Sequence, residues 1–279
     1  MLTTRFAPSP SGRLHLGHAF SATLGRAQGQ RWQLRIEDLD PARSRPEFVD
    51  GIIEDLAWLG LTPDAPPLVQ SARVAAYEAA FHRLRAANLV YPCFCTRADI
   101  AASLTAPHGD AGATYAGTCR GLPDDPARRA DTPHSWRLDS AAAIARVGGL
   151  PGWRETDGTR FAGTTADIGD AILARKDAPA SYHLACVVDD ASTAVSIVVR
   201  GADLRPSTPV QRLLQSLLDL PEPSYLHHPI VTHDDGRRLA KRDQAPTLAA
   251  MRAAGVDGRT LSHQLLTGFL PSGYRLTKA

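Results

Sequence analysis

The sequence predicts an α/β protein: a Rossmann-like parallel sheet split by an inserted, cysteine-bearing subdomain. Three observations carry this. Residues 32–87 read as strand, helix, helix, the order expected of the first half of such a domain. Residues 170–218 supply a second set of strands and helices. The stretch between them changes character, holding three of the four cysteines within glycine- and proline-bearing polar segments. The boundaries follow: 1–90 as the first half, 91–169 as the insertion, 170–245 as the second half and 246–279 as a helical tail.

Taken in order, Pro8, Pro10 and Gly12 break the opening residues into a loop, and a helix starts near Leu16 and runs through Ala19 to Arg26. Residues 32–36 form a short strand ending on the acidic Glu37-Asp38-Leu39-Asp40. Phe48, Ile52, Ile53, Leu56 and Leu59 make a helical stripe that Gly60 stops, and Val74, Tyr77, Phe81 and Leu84 repeat it over 71–87. No Gly-x-Gly-x-x-Gly follows a strand, which disfavours a dinucleotide fold.

The insertion opens with Cys93-Phe94-Cys95, passes through a Gly/Ala-rich loop to Tyr115-Ala116-Gly117-Thr118-Cys119, and continues as a polar loop over 123–133. Ser135-Trp136-Arg137-Leu138 then reads as a strand. Beyond it come a strand and turn over 169–177, a helix over 182–188 and a buried strand over 196–199 ending at Arg200-Gly201. Residues 208–218 form a helix with Pro209 in its first turn and Val210, Leu213, Leu214 and Leu217 on its apolar side. Ile230-Val231 leads into a charged loop at 234–242, and 247–279 is helical before it frays.

Bulk properties narrow the class. With 279 residues and 43% hydrophobic content the chain is that of a globular protein with a sizeable core. Its apolar runs, such as 195–199, are too short to span a bilayer, and no charged-then-apolar leader opens it. A cytoplasmic, monomeric protein without membrane contact is expected. A net charge of +2 and a pI near 8.4 are only mildly basic, so any nucleic-acid contact needs a local patch. Lysine occurs only at 176, 241 and 278, against 28 arginines, which makes a lysine inside a motif notable.

Two imidazoles, His15 and His18, fall three residues apart on one side of the first helical turn. Backbone N–H groups at a helix N-terminus favour anions, and adjacent imidazoles add donors, so this is a candidate phosphate site. A lone His-x-x-His fits two solvated histidines equally well.

The whole cassette, Arg5-Phe6-Ala7-Pro8-Ser9-Pro10-Ser11-Gly12, Leu14-His15-Leu16-Gly17-His18 and Arg35-Ile36-Glu37-Asp38-Leu39-Asp40, resembles the front of a class I glutamyl-tRNA synthetase catalytic domain. His-Leu-Gly-His matches that family's "HIGH" signature, and Arg238-Leu239-Ala240-Lys241-Arg242 resembles its KMSKS loop. The resemblance covers about residues 4–245.

It implies that ATP is held by Pro8, His15, Gly17, His18, Arg238, Leu239, Ala240, Lys241 and Arg242, with His15, His18 and Lys241 catalytic. Aminoacyl-adenylate formation is largely electrostatic positioning of the transferring phosphate. Two departures stand out: Arg238 replaces a lysine and keeps the charge, while Ala240 removes the motif's serine hydroxyl, a loss of about 1 kcal/mol. The glutamate-binding positions fall on Arg5, Phe6, Ala7, Pro8, Ser9, Glu37, Tyr182 and Arg200. Glu37 would take the ammonium, and Arg200 and Tyr182 with Arg5 the carboxylates, by charge-assisted pairing.

Cys93, Cys95, Tyr115 and Cys119 match a Cys, Cys, Tyr, Cys zinc set, implying one structural zinc per chain, with Mg accompanying ATP. From the residues alone, reduced core cysteines remain the alternative. Tyr182-His183-Leu184-Ala185-Cys186, Gly201-Ala202-Asp203-Leu204 and the short segment after Lys241 resemble the short paralogues that lack an anticodon-binding domain. Those enzymes join glutamate to queuosine at the wobble base of tRNA(Asp), taking the anticodon arm as partner. A truncated glutamyl-tRNA synthetase charging tRNA(Glu) or tRNA(Gln), or a non-catalytic synthetase-like module, are the alternatives.

Overall fold

The computed structural model describes residues 1–96, 99, 115, 117–164, 168–175, 178–239 and 246–278. Ala240, Lys241 and Arg242 lie outside the described residues. The first segment contains β1 (Thr3–Phe6), α1 (Leu16–Gln28), β2 (Arg31–Ile36), α2 (Pro46–Trp58), β3 (Leu68–Val69) and α3 (Val74–Ala86). The insertion contributes β4 (Val90–Cys93), α4 (Pro126–Asp131), β5 (Ser135–Leu138), α5 (Ser140–Val147), β6 (Trp153–Arg154) and β7 (Arg160–Phe161). Then follow β8 (Ile172–Arg175), α6 (Tyr182–Ser192), β9 (Ile197–Gly201), α7 (Thr208–Leu217), β10 (Ser224–His228) and β11 (Ile230–His233). The tail holds α8 (Leu248–Ala253), α9 (Gly258–Leu266) and β12 (Tyr274–Thr277).

β1, β2 and β3 pair in parallel with β2 central, and β9 pairs in parallel with β10. β9 runs along the other side of β1: the Ser196 N–H donates to the Thr3 carbonyl at 3.0 Å, and Arg5 reaches the Val199 carbonyl at 3.2 Å. The spatial order is therefore β3-β2-β1-β9-β10. It reverses direction of progress between β1 and β9, and in open α/β sheets ligands bind at the carboxyl ends of strands at such a point.

β1 falls where the sequence reading places only loop. All four of its residues are buried, including Thr4 and Arg5, so no alternation of polar and apolar marks the strand. α5 is a second helix not foreseen. Asp139 caps it by accepting from the Ala142 N–H at 3.0 Å, and Gly148 ends it at φ +76°, where a Cβ would be strained. α4, similarly capped by Asp125, lies inside the predicted 123–133 loop. The tail does not simply fray after its helices: β12 pairs antiparallel with β11.

β4, β5 and β8 form a separate antiparallel sheet with β5 central, so the strand opening the second segment pairs with the insertion. The β6–β7 hairpin lies alongside β10, where the Thr156 N–H donates to the Tyr225 carbonyl at 2.8 Å. One core gathers Tyr77, Leu84, Leu138, Leu184, Leu213 and Leu214 from α3, β5, α6 and α7. The other packs Phe6, Leu16, Trp32 and Ile52 against Leu248, Leu261 and Leu265 of the tail.

Two buried carboxylates tie layers together. Asp189 on α6 accepts from Gln70 at 2.9 Å, Arg73 at 2.7 Å and the Tyr77 hydroxyl at 2.9 Å. Asp170 accepts from Ser140 and Arg120, at 2.6 Å each, and from the Tyr91 hydroxyl, fastening the insertion to its sheet. Among the described residues no helix is long and apolar enough to cross a membrane.

Candidate active site

A cleft of about 1550 Å³ opens at the carboxyl ends of β1, β2 and β9 and runs to the start of α1. Arg5 through Ser9, His15, Gly17, His18, Glu37, Tyr182, Arg200, Arg238 and Leu239 all line it. The described residues of the predicted ATP and glutamate sets are thus brought together around one cavity.

At the helix end, the two histidines build the cap. The His15 Nδ1 accepts from the Gly17 N–H at 3.1 Å, and the His18 Nδ1 accepts from the His15 N–H at 3.2 Å. Both rings therefore carry their proton on Nε2 when neutral, and each remains an N–H donor on its far side. Gly17 leaves room for this arrangement: a Cβ there would stand 3.1 Å from the His15 ring, which would have to shift by a few tenths of an ångström. The segments on either side of 240–245 reach the same place. Thr247 forms a β-bridge with His15, the Leu248 N–H donates to the Leu14 carbonyl at 2.9 Å, and Leu239 packs near Gly17.

At the other end lies a buried charge network that the sequence reading found only in part. Asp190 accepts from Arg5 Nε at 3.0 Å and from Arg35 Nη1 at 2.5 Å. Burial would raise the Asp190 pKa, but the two guanidinium groups outweigh it and hold the carboxyl down at about 2. Arg35 also grips Glu37, with Nη2 at 3.1 Å from Oε1. Burial pushes Glu37 upward against the pull of Arg35 and Arg5. The Cys186 thiol sits among these groups, 3.3 Å from Arg35 Nη2, and burial and Asp190 push it up to about 11.

Arg200 differs from its neighbours. Its guanidinium donates to His227 Nε2 at 3.1 Å, the Tyr182 hydroxyl at 3.3 Å, Gln211 Oε1 at 2.7 Å and Thr208 Oγ1 at 2.8 Å. All four acceptors are neutral. Burial lowers the His227 pKa to about 4, with Arg200 adding to the effect against Glu155. Arg200 is 4% exposed and makes no ion pair among the described residues, whereas Arg5 and Arg35 are both paired. A buried cation without a counter-charge is costly unless an anion arrives. The Nη2 group has a second N–H for such a ligand.

Arg35, Asp190, His227, Glu155, Gln211 and Thr208 were not foreseen. Arg35 sits inside the quoted Arg-Ile-Glu-Asp-Leu-Asp stretch, and its neighbour Glu37 was the signal available. His227 has no local signature; only the β9–β10 register places it opposite Arg200.

The third cluster lies in the insertion. The Cys93, Cys95 and Cys119 sulfurs lie within 4.8 Å of one another. The Tyr115 hydroxyl lies 3.3 Å from Cys93 Sγ and 3.6 Å from Cys95 Sγ, and Cys95 and Cys119 are 3.5 Å apart. A tetrahedral zinc with bonds of about 2.3 Å sets its sulfurs roughly 3.8 Å apart, so the donor set fits. Burial pushes the Cys95 thiol up to about 11 and the Tyr115 phenol higher still. At Cys119, hydrogen bonds to the Phe94 backbone and Tyr115 outweigh burial and hold the thiol down, so it is Cys95 and Tyr115 whose ionisation calls for a cation among the donors. The cluster meets the rim of the cleft through Tyr115, whose ring lies 3.9 Å beneath the guanidinium of Arg137, a cleft-lining residue.

Over residues 1–275 the chain matches the family described as tRNA synthetases class I (E and Q), catalytic domain. It is 44% identical over 269 residues to the glutamyl-Q tRNA(Asp) synthetase of Rhodobacter capsulatus, covering 91% of this chain and 96% of that one. The protein of the same name from Nocardia farcinica is 47% identical over 255 residues, covering 90% and 79%. A solved glutamate tRNA ligase from Elizabethkingia meningosepticum, in complex with its amino acid, superimposes with a TM-score of 0.74 at 24% identity. It matches 95% of this chain, which spans 60% of the length of that structure.

Proposed function

The chain belongs to the class I (E and Q) tRNA synthetases, in their glutamyl-Q tRNA(Asp) branch, and is a ligase; from that premise we propose that it activates L-glutamate with ATP and transfers it to queuosine at the wobble base of tRNA(Asp). The observation that carries the amino-acid half is the buried Arg200, without an ion pair among the described residues, in a cleft that also holds Glu37. An ammonium is attracted by Glu37, and a side-chain carboxylate completes the charge of Arg200 beside the Tyr182 hydroxyl. Arg5, with Phe6, Ala7, Pro8 and Ser9 at the end of β1, forms the wall between them. A dicarboxylic amino acid fits this pattern and an amide does not, because it would leave Arg200 buried without an anion.

In this reading the α-carboxylate oxygen attacks the α-phosphorus of ATP and pyrophosphate leaves. His15 and His18, protonated on Nε2, donate toward the phosphates together with the start of α1. Pro8, Gly17, Arg238 and Leu239 line the cleft at the nucleotide's place, and Ala240, Lys241 and Arg242, which complete the motif, lie outside the described residues. A hydroxyl of the queuosine cyclopentene ring then attacks the glutamyl carbonyl carbon, and AMP leaves. Cys93, Cys95, Tyr115 and Cys119 would hold a zinc ion, whose contribution is to clamp the 93–119 segment. The four-segment division at 90/91, 169/170 and 245/246, a monomeric state and a cytoplasmic setting belong to the same reading.

The test is an acceptor assay with labelled glutamate on purified tRNA(Asp), with and without queuosine. Label on queuosine-bearing tRNA(Asp) alone is expected. Label on tRNA(Glu) or tRNA(Gln), with none on tRNA(Asp), would remove the reading in favour of a truncated glutamyl-tRNA synthetase. Glutamate-dependent ATP–pyrophosphate exchange is expected without any tRNA, and its absence under all conditions would point to a non-catalytic module.

A further inference from the structure

We propose that Glu155 and His227 are positioning residues for the amino-acid pocket: they hold the Arg200 guanidinium in place and so link carboxylate binding to the β6–β7 hairpin of the insertion. The inference rests on the reading that Arg200 receives a substrate carboxylate. Its starting point is register. In the parallel pair β9–β10, His227 stands directly across from Arg200. Its side chain is fully enclosed, with the ring parallel to that of Tyr225 at 5.7 Å.

The hydrogen bonds then fix which face of the imidazole meets the guanidinium. Glu155 Oε1 lies 2.6 Å from His227 Nδ1, and Glu155 Oε2 accepts from the His227 backbone N–H at 3.1 Å. A carboxylate only accepts, so Nδ1 carries the proton and Nε2 presents a lone pair. That lone pair receives Arg200 Nε at 3.1 Å, and the Thr208 hydroxyl lies 3.3 Å from the same atom. In the opposite tautomer, or in the imidazolium, an N–H would face the guanidinium N–H and push it away. Trp153 Nε1 donates to Glu155 Oε1 at 3.2 Å, which fixes the carboxylate in turn.

A purely architectural role does not account for this arrangement. The hairpin is already docked by the Thr156–Tyr225 backbone bond at 2.8 Å and by Arg212 Nε donating to the Gly152 carbonyl at 3.0 Å. Trp153 and Phe161 stack at 5.0 Å and pack with Val198 and Tyr225. Burying a carboxylate–imidazole pair adds nothing to that docking which apolar side chains would not supply. What the pair does supply is a neutral acceptor of one defined tautomer against an arginine that must stay available for a ligand anion.

The experiment compares Arg200→Ala, His227→Ala, His227→Gln and Glu155→Gln in ATP–pyrophosphate exchange, with thermal melting of each variant. His227→Ala is expected to raise the glutamate KM about tenfold, the scale of one lost hydrogen bond, while the ATP KM stays within about twofold. Gln can offer an acceptor near the Nε2 position, so His227→Gln is expected to restore most of the glutamate KM. Glu155→Gln, which preserves size and polarity, is expected to raise the glutamate KM roughly threefold, and it carries the test if His227→Ala does not fold. A folded His227→Ala or Glu155→Gln variant with an unchanged glutamate KM, or one whose two KM values rise together, overturns the proposal. If Arg200→Ala itself leaves the glutamate KM unchanged, the underlying pocket reading fails instead.

Discussion

Replacing Asp190 by Asn tests the charge network at its centre. The Asp190 side chain is 5% exposed, as is Arg5, and Arg35 is 3% exposed, so solvent does little to screen them. With the carboxylate gone, Arg5 loses its only ion-pair partner among the described residues, and Arg35 keeps only Glu37. Removing one partner of a buried pair costs about 3–5 kcal/mol. The depressed carboxyl, at about 2 against its ordinary 3.8, gives a lower figure of about 2 kcal/mol, so the cost is bracketed at about 2–5 kcal/mol. For a chain of this size that range predicts a melting temperature lower by roughly ten degrees at neutral pH. Because the folded-state pKa is depressed, the contribution is complete above pH 3.8 and is lost as pH falls toward 2. The parent should therefore lose its advantage over Asp190→Asn across that window, read by circular dichroism on acid titration. A melting temperature within about two degrees of the parent at pH 7, or parallel acid-unfolding curves, would refute the reasoning.

Other outcomes follow from the site. Lys241→Ala should abolish ATP–pyrophosphate exchange with the melting temperature unchanged, and equal rates for mutant and parent would remove the 238–242 motif from the site. Gly17→Val crowds the His15 ring, to which even a Cβ would stand at 3.1 Å, and should lower the exchange kcat by about 10²-fold, as loss of an aligned donor does; an undiminished kcat would count against the cap geometry. Metal analysis of protein prepared without chelator should find about one zinc per chain, and chelator should lower the melting temperature. No bound metal, with melting indifferent to chelator, would leave Cys93, Cys95 and Cys119 as plain thiols.

The sequence was most legible where one physical rule acts alone. α3 and α7 show their apolar faces at helical spacing, and β9 is a run of β-branched residues buried on both sides. β1 was not legible because a strand buried on both faces and carrying a structural arginine has neither alternation nor an apolar run. α5 was missed although Asp139 and Gly148 bracket it, since it is only eight residues long and four of them are alanine, leaving Ile144 and Val147 as its only large apolar side chains. In the site, motif residues such as His15, His18, Glu37 and Arg200 announce themselves by their neighbours in the chain. Asp190, His227 and Glu155 act through residues far away in sequence, and only strand register and helix docking bring them together.

The packing of the tail on the front of the chain bears on how the protein is made. α1 leans on α9, and the core around Phe6, Leu16 and Trp32 is closed by Leu248, Leu261 and Leu265, more than two hundred residues downstream. During synthesis, then, the histidine cap emerges early but stands on an unfinished floor until the segment around 248–265 has left the ribosome. Such distant closure makes for slow, late consolidation, so the end of the cleft built on His15 and His18 should be the last part of the molecule to gain protection from proteases.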